Sequence, residues 1–125
     1  MKLNNYNNLL ELFFDQYKKQ DKNNIFLINL GNPKHNLSWE KTYLLVNHLS
    51  NQISKDIKLG DRCVLISENR PEWLISDLAI MLAGGISVPS YTTYTTKDYE
   101  YIIKDCEPSV LIAVSYTHLT LPTKG

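Results

Sequence analysis

Residues 61 to 89 constrain the fold more than any other stretch of the chain. Cys63-Val64-Leu65-Ile66 is a short unbroken apolar run, the pattern of a strand buried on both faces. Trp73, Leu74, Asp77, Leu78, Ile80, Met81 and Leu82 then follow helical spacing. Asn69 is placed to cap that helix, Glu72 completes a capping-box pattern, and Pro71 suits the first turn. Gly84 is positioned to take the left-handed conformation that ends the helix. Ile86 to Val88 is the returning strand, with Pro89 expected to stop its ladder. Strand, helix and strand over so short a span make a βαβ unit, which requires a parallel sheet.

The flanks extend this unit. Asn8 is placed to cap a helix whose Leu9, Leu12, Phe13, Gln16 and Tyr17 share one face, with Lys18, Lys19 and Lys22 at or past its end. Ile25 to Ile28 reads as a strand, Leu30-Gly31-Asn32-Pro33 as a turn, and Asn36-Leu37 as a short pairing strand. Ser38 caps a helix through about Ser54, with Trp39, Tyr43, Val46, Leu49 and Ile53 spaced by three and four. Beyond Pro89, Thr95 and Asp98 repeat the capping-box pattern before a helix near 97–104, and Asp105-Cys106-Glu107-Pro108 breaks it. Val110-Leu111-Ile112-Ala113 is a third buried run. The fold class is therefore α/β: an N-terminal helix, hairpin and helix, then a βαβαβ unit. Residues 63–66, 86–88 and 110–113 are expected to form adjacent parallel strands.

Composition narrows the function. The 125 residues carry 13 basic and 13 acidic side chains, so no charge excess points to nucleic acid or to an anionic surface. Membrane contact is left unassigned by this balance. Cys63 and Cys106 lack metal-ligand spacing and read as buried free thiols. No signal-peptide core opens the chain, and no apolar run approaches the ~18 residues of a spanning helix. A soluble, cytoplasmic protein is the expectation. His35 and His48 have no second imidazole at ligand spacing, so no metal site is expected. No nucleophile elbow or Walker loop is present.

Three stretches carry a sharper and a blander reading. Gly84-Gly85 ends a helix, whereas a dinucleotide fingerprint would open one, so the cap reading is preferred. Glu68, Asn69 and Arg70 leave the carboxyl end of a parallel strand, where open α/β sheets bind ligands. Capping and a local Glu68–Arg70 contact are the preferred reading there. Ser90-Tyr91-Thr92-Thr93-Tyr94-Thr95-Thr96 leaves a second strand at the same edge, and packing is preferred to ligand binding.

The run from Ser67-Glu68-Asn69-Arg70-Pro71-Glu72-Trp73 to Ala79, with Gly60-Asp61-Arg62 before it and Met81-Leu82-Ala83-Gly84-Gly85-Ile86-Ser87-Val88-Pro89 after it, resembles the N-terminal region of adenylate-forming enzymes. Within that family it is most similar to the long-chain fatty-acid–CoA ligases. Tyr91-Thr92-Thr93-Tyr94-Thr95 resembles the loop that follows in that subgroup. Leu37-Ser38-Trp39 resembles the Leu-Thr-Tyr opening of an earlier family helix, although Lys41 stands where the family usually has Glu. The resemblance covers roughly residues 8 to 113. It implies that residues 1–113 are an incomplete part of the large N-terminal domain of that fold.

The end of the chain reads differently. Val114-Ser115-Tyr116-Thr117-His118-Leu119-Thr120-Leu121-Pro122-Thr123 resembles a reading-frame translation of the transposase adapter used in shotgun library preparation. Residues 114–125 also contain no Asn, Ile, Asp or Glu. A non-native tail, irregular and outside the core, is the expectation. The stretch ending Leu121-Pro122-Thr123-Lys124-Gly125 faintly resembles the family's phosphate loop. Its glycine is only terminal, however, and a phosphate cradle needs glycines within the loop.

The resemblance implies a parent enzyme that joins a fatty acid to ATP as an acyl-adenylate, with Mg²⁺, and passes the acyl group to CoA. Fatty acid, ATP and CoA are the implied partners. The family's phosphate loop, nucleotide-binding Asp and catalytic Lys all lie downstream, so no catalytic, cofactor-binding or metal-binding residue is carried onto this chain. The piece alone is expected to be inactive and to bind no cofactor. An adenylation module or aryl ligase shares the architecture, and a non-catalytic α/β binding module or free-standing scaffold is the rival of another class.

Overall fold

The computed structural model describes residues 6–68 and 70–113. The chain runs α1 (Leu9–Lys19), β1 (Ile25–Leu27), a 3-10 turn (Pro33–His35), β2 (Leu37–Ser38), α2 (Trp39–Ser54), β3 (Arg62–Ile66), α3 (Pro71–Leu82), β4 (Ile86–Ser90), α4 (Thr96–Cys106) and β5 (Val110–Ala113). β1 and β2 pair antiparallel. The larger sheet has the order β4-β3-β5, with both pairings parallel. The expected helix–hairpin–helix and βαβαβ order is the observed one. The expected tail at 114–125 lies outside the described residues.

Local chemistry sets the boundaries. Asn8 Oδ1 accepts from the Glu11 N–H at 2.9 Å, and Ser38 Oγ accepts from the Lys41 N–H at 3.0 Å. Thr95 and Asp98 form a reciprocal capping box. α3 closes in a full Schellman arrangement. Gly84, at φ +87°, donates to the Met81 carbonyl at 3.0 Å, and Gly85 donates to the Ile80 carbonyl at 2.9 Å. A Cβ on Gly85 would lie 3.0 Å from Ile57, 3.1 Å from Ile80 and 3.3 Å from the Asp61 carbonyl. The two glycines are thus spent on a turn and a close approach.

Two expectations about this unit are corrected. The cap position of α3 is Arg70, with Pro71 as the first helical residue and no side-chain cap bond. Asn69 itself lies outside the described residues. Pro89 does not stop the β4 ladder. The strand continues to Ser90, with Pro89 opposite Leu65. The Ile86 N–H points inward to the Asp61 carbonyl at 2.8 Å, so alternation turns positions 87 and 89 outward. Pro89 therefore lacks a donor only on the outer side of β4, and costs the sheet nothing.

The core lies on one face of the sheet. Cys63, Leu65, Val110 and Ile112 project to that side and are fully buried against Ile75, Leu78, Ala79 and Ile80 of α3 and Val46, Leu49 and Ile53 of α2. Ile75, Ser76 and Ala79 are buried although the apolar spacing of the helix pointed elsewhere. Ser76 and Thr42 are buried too, and each hydroxyl donates to a carbonyl one turn back at 2.8 Å. α1 adds Phe13, which approaches both Phe26 and Trp39. β3→β4 and β4→β5 cross the sheet in opposite directions, so right-handed connections place α3 and α4 on opposite faces. α4 has no buried residue and contributes nothing to the core cluster. At the amino end, Asp61 accepts from the Lys58 N–H and the Ser109 hydroxyl, both at 2.9 Å, tying the starts of β3 and β5 together. Those hydrogen bonds hold its carboxyl below the usual value.

Candidate functional site

The carboxyl end of the parallel sheet is where this architecture places ligands, and three chain segments meet there. β3 leaves through Ser67, which is buried and donates to the Glu68 carbonyl at 2.8 Å. Glu68 is exposed. Arg70 Nε lies 3.2 Å from Glu72 Oε2, both side chains being largely buried. The ion pair on Arg70 is thus with Glu72, where a Glu68–Arg70 contact was expected. Arg70, Pro71 and Leu74 form one wall of a cleft of ≈ 400 Å³, and Leu27, Ile28 and Asn29 form the facing wall. Sequence reasoning missed this cleft, because nothing local links the β1 turn to the start of α3.

The Tyr/Thr loop after β4 is occupied with itself. The Tyr91 and Tyr94 rings meet edge to face at 5.3 Å, and Tyr94 lies 5.9 Å from Tyr99. The Tyr99 hydroxyl donates to the Tyr91 carbonyl. These contacts and the Thr95 capping box account for the loop as packing. One polar atom is left over: Ser90 Oγ, buried at the end of β4, has no hydrogen-bond partner.

The described residues do not fit a nucleotide triphosphate with its metal. Among them no three His, Cys, Asp or Glu side chains come together to hold a cation. Arg62 opens β3 while Arg70 lies past its other end, so the two arginines do not converge. Gly84 and Gly85 close a helix, and Gly60, at φ +85°, serves the turn into β3. His35 sits in the 3-10 turn and His48 within α2, in separate elements. The Cys63 thiol is pushed up to about 11 by burial, with the nearby Asp61 carboxylate adding to the effect. Such a thiol is a poor nucleophile. Among the described residues no helix is long and apolar enough to cross a membrane.

This parallel sheet is matched by known proteins. The sequence profile of the family described as "AMP-binding enzyme" matches residues 13–124. The chain belongs to that family of adenylate-forming enzymes. It is 38% identical over 69 residues to the long-chain-fatty-acid–CoA ligase FadD15 of Mycobacterium tuberculosis, which is 55% of this chain and 12% of that protein. It is 29% identical over 111 residues to the human long-chain-fatty-acid–CoA ligase ACSBG1, or 88% of this chain and 13% of that protein. Among solved structures, the anthranilate CoA ligase AuaEII in complex with anthranoyl-AMP superposes with a TM-score of 0.78 over 92% of this chain and 22% of that one, at 24% identity. MatB from Rhodopseudomonas palustris gives a TM-score of 0.69 over 82% of this chain and 20% of that one, at 25% identity. The chain therefore spans about an eighth of the ligases it matches in sequence.

Proposed function

We propose that the protein containing this chain is a long-chain fatty-acid–CoA ligase. In that reaction a fatty carboxylate oxygen attacks the α-phosphorus of ATP and displaces pyrophosphate. The CoA thiol then attacks the acyl carbonyl and AMP leaves. The observation that carries the reading is the likeness to long-chain ligases over 69 residues at 38% identity. The described residues supply sheet, helix caps and core to such an enzyme.

An aryl-acid ligase is the second reading, since an anthranilate CoA ligase, AuaEII, shares this fold. A pyrophosphate-release assay on the family-length protein separates the two. Turnover with palmitate and CoA, and none with anthranilate, is expected. Faster turnover with the aryl acid sinks the long-chain assignment. For the 125-residue chain alone, calorimetric titration with ATP·Mg²⁺ is expected to show no saturable heat. Micromolar binding abolished by Arg70→Ala would relocate the nucleotide site to the cleft beside α3.

A further inference from the structure

β1 has a strand partner on one edge only. β2 pairs along that edge at Ile25 and Leu27, and the Asn29 N–H continues the same side by donating to Asn36 Oδ1 at 2.7 Å. Alternation turns the main chain of Ile28 to the opposite edge. The Asn29 side chain then ties off the turn, accepting from the Gly31 and Asn32 N–H groups at 3.0 and 3.1 Å. Among the described residues neither Ile28 nor Leu30 has a main-chain hydrogen bond. Their side chains are 65% and 96% exposed. This edge opens on the ≈ 400 Å³ cleft whose far wall is Arg70, Pro71 and Leu74. Charge at its lip has one sign: from Lys22 to Trp39 the hairpin carries no carboxylate, and Lys34 and His35 join no ion pair among the described residues.

We propose that this edge binds an extended peptide of another protein, apolar at alternate positions and acidic at its ends, which adds as a strand beside β1. The peptide residue opposite Ile28 exchanges main-chain hydrogen bonds with it, as paired strands do. Every second peptide side chain faces the cleft, against Pro71 and Leu74. An acidic residue at the end nearest the turn meets Lys34. A lipid surface would cover Ile28 and Leu30 as well, but it offers their N–H and C=O groups no partner. A second strand satisfies both needs at once. The surface is independent of the ligase reading and needs neither ATP nor CoA.

The test is a fluorescence-anisotropy titration of the 125-residue chain against a fluorescein-labelled peptide, Asp-Thr-Val-Thr-Val-Thr-Asp. Saturable binding in the micromolar range is expected. Methylating the peptide's backbone nitrogens one at a time should weaken binding about tenfold at alternate positions and leave the positions between them unchanged. Leu30→Asp should weaken this peptide and spare a version with Lys in place of both Asp. Its urea midpoint should match the wild type, because Leu30 is 96% exposed. Absence of saturation, or equal sensitivity to methylation at every position, overturns the proposal. So does binding to phosphatidylglycerol vesicles that Leu30→Asp abolishes and the peptide does not displace. A dimer in sedimentation that Leu30→Asp dissociates overturns it too, since a second copy would then occupy the edge.

Discussion

The two faces of the parallel sheet are built from alternate residues of the same strands, yet they are covered very differently. Cys63, Leu65, Val110 and Ile112 meet two helices and are 0% exposed. On the other face Val64 is buried, but Ile66, Val88 and Leu111 are only half-buried, and α4 fully buries none of its side chains. Strand sequence alone does not distinguish the faces, because both are apolar. What differs is the partner: α2 and α3 present continuous apolar stripes, whereas α4 leaves Tyr101 71% and Ile103 41% exposed. Stability in this chain is therefore concentrated in one layer.

The hardest blow to that contrast comes from truncating the packed layer. Leu65→Ala should cost about 2–5 kcal/mol, read as a lower urea midpoint. A loss below ~1 kcal/mol would mean that the packed face does not dominate. Next in size is an alkaline effect on the same face. Because the folded Cys63 thiol is raised from 9.0 to about 11, folding keeps its full stability below pH 9 and loses it as pH climbs towards 11. The loss should be on the order of 2 kcal/mol. It is isolated by comparing the wild-type pH profile with that of Cys63→Ala, whose alkaline limb should be flatter.

On the thin face the effects shrink. Thr95→Ala removes the capping box and should cost about 1 kcal/mol. Hydrogen exchange should quicken across 97–106 while α3 is unchanged. Equal quickening in α3 would show that the two layers open as one. Smallest of all, Tyr101→Ala should change the urea midpoint by no more than ~0.5 kcal/mol in free energy. A larger loss would show that α4 is held to the sheet more firmly than its exposure implies.

Much of this architecture was legible in the residues. Caps at Asn8, Ser38 and Thr95 announce themselves, because the hydroxyl or amide that begins a helix acts locally. The parallel unit was legible from the unbroken run at Cys63–Ile66 and the helix that follows. Arg70 as cap was available too, since Pro71 as first helical residue places the cap one position before it. The continuation of β4 through Pro89 was not legible: it depends on which side of the strand lacks a neighbour. The cleft was illegible for the same reason. It joins the β1 turn and α3, which only tertiary packing brings together. The ligase assignment came from motif order in the resemblance.

Pro89 has one further consequence. Among the described residues β4 ends the sheet, and a strand with free outward amides can recruit another chain and seed fibres. The outward positions here are Ser87 and Pro89, so an incoming strand finds one donor where two would be needed to fix its register. A chain emerging from the ribosome with this segment exposed is thereby poorly suited to template its own kind, at no cost to the native pairing.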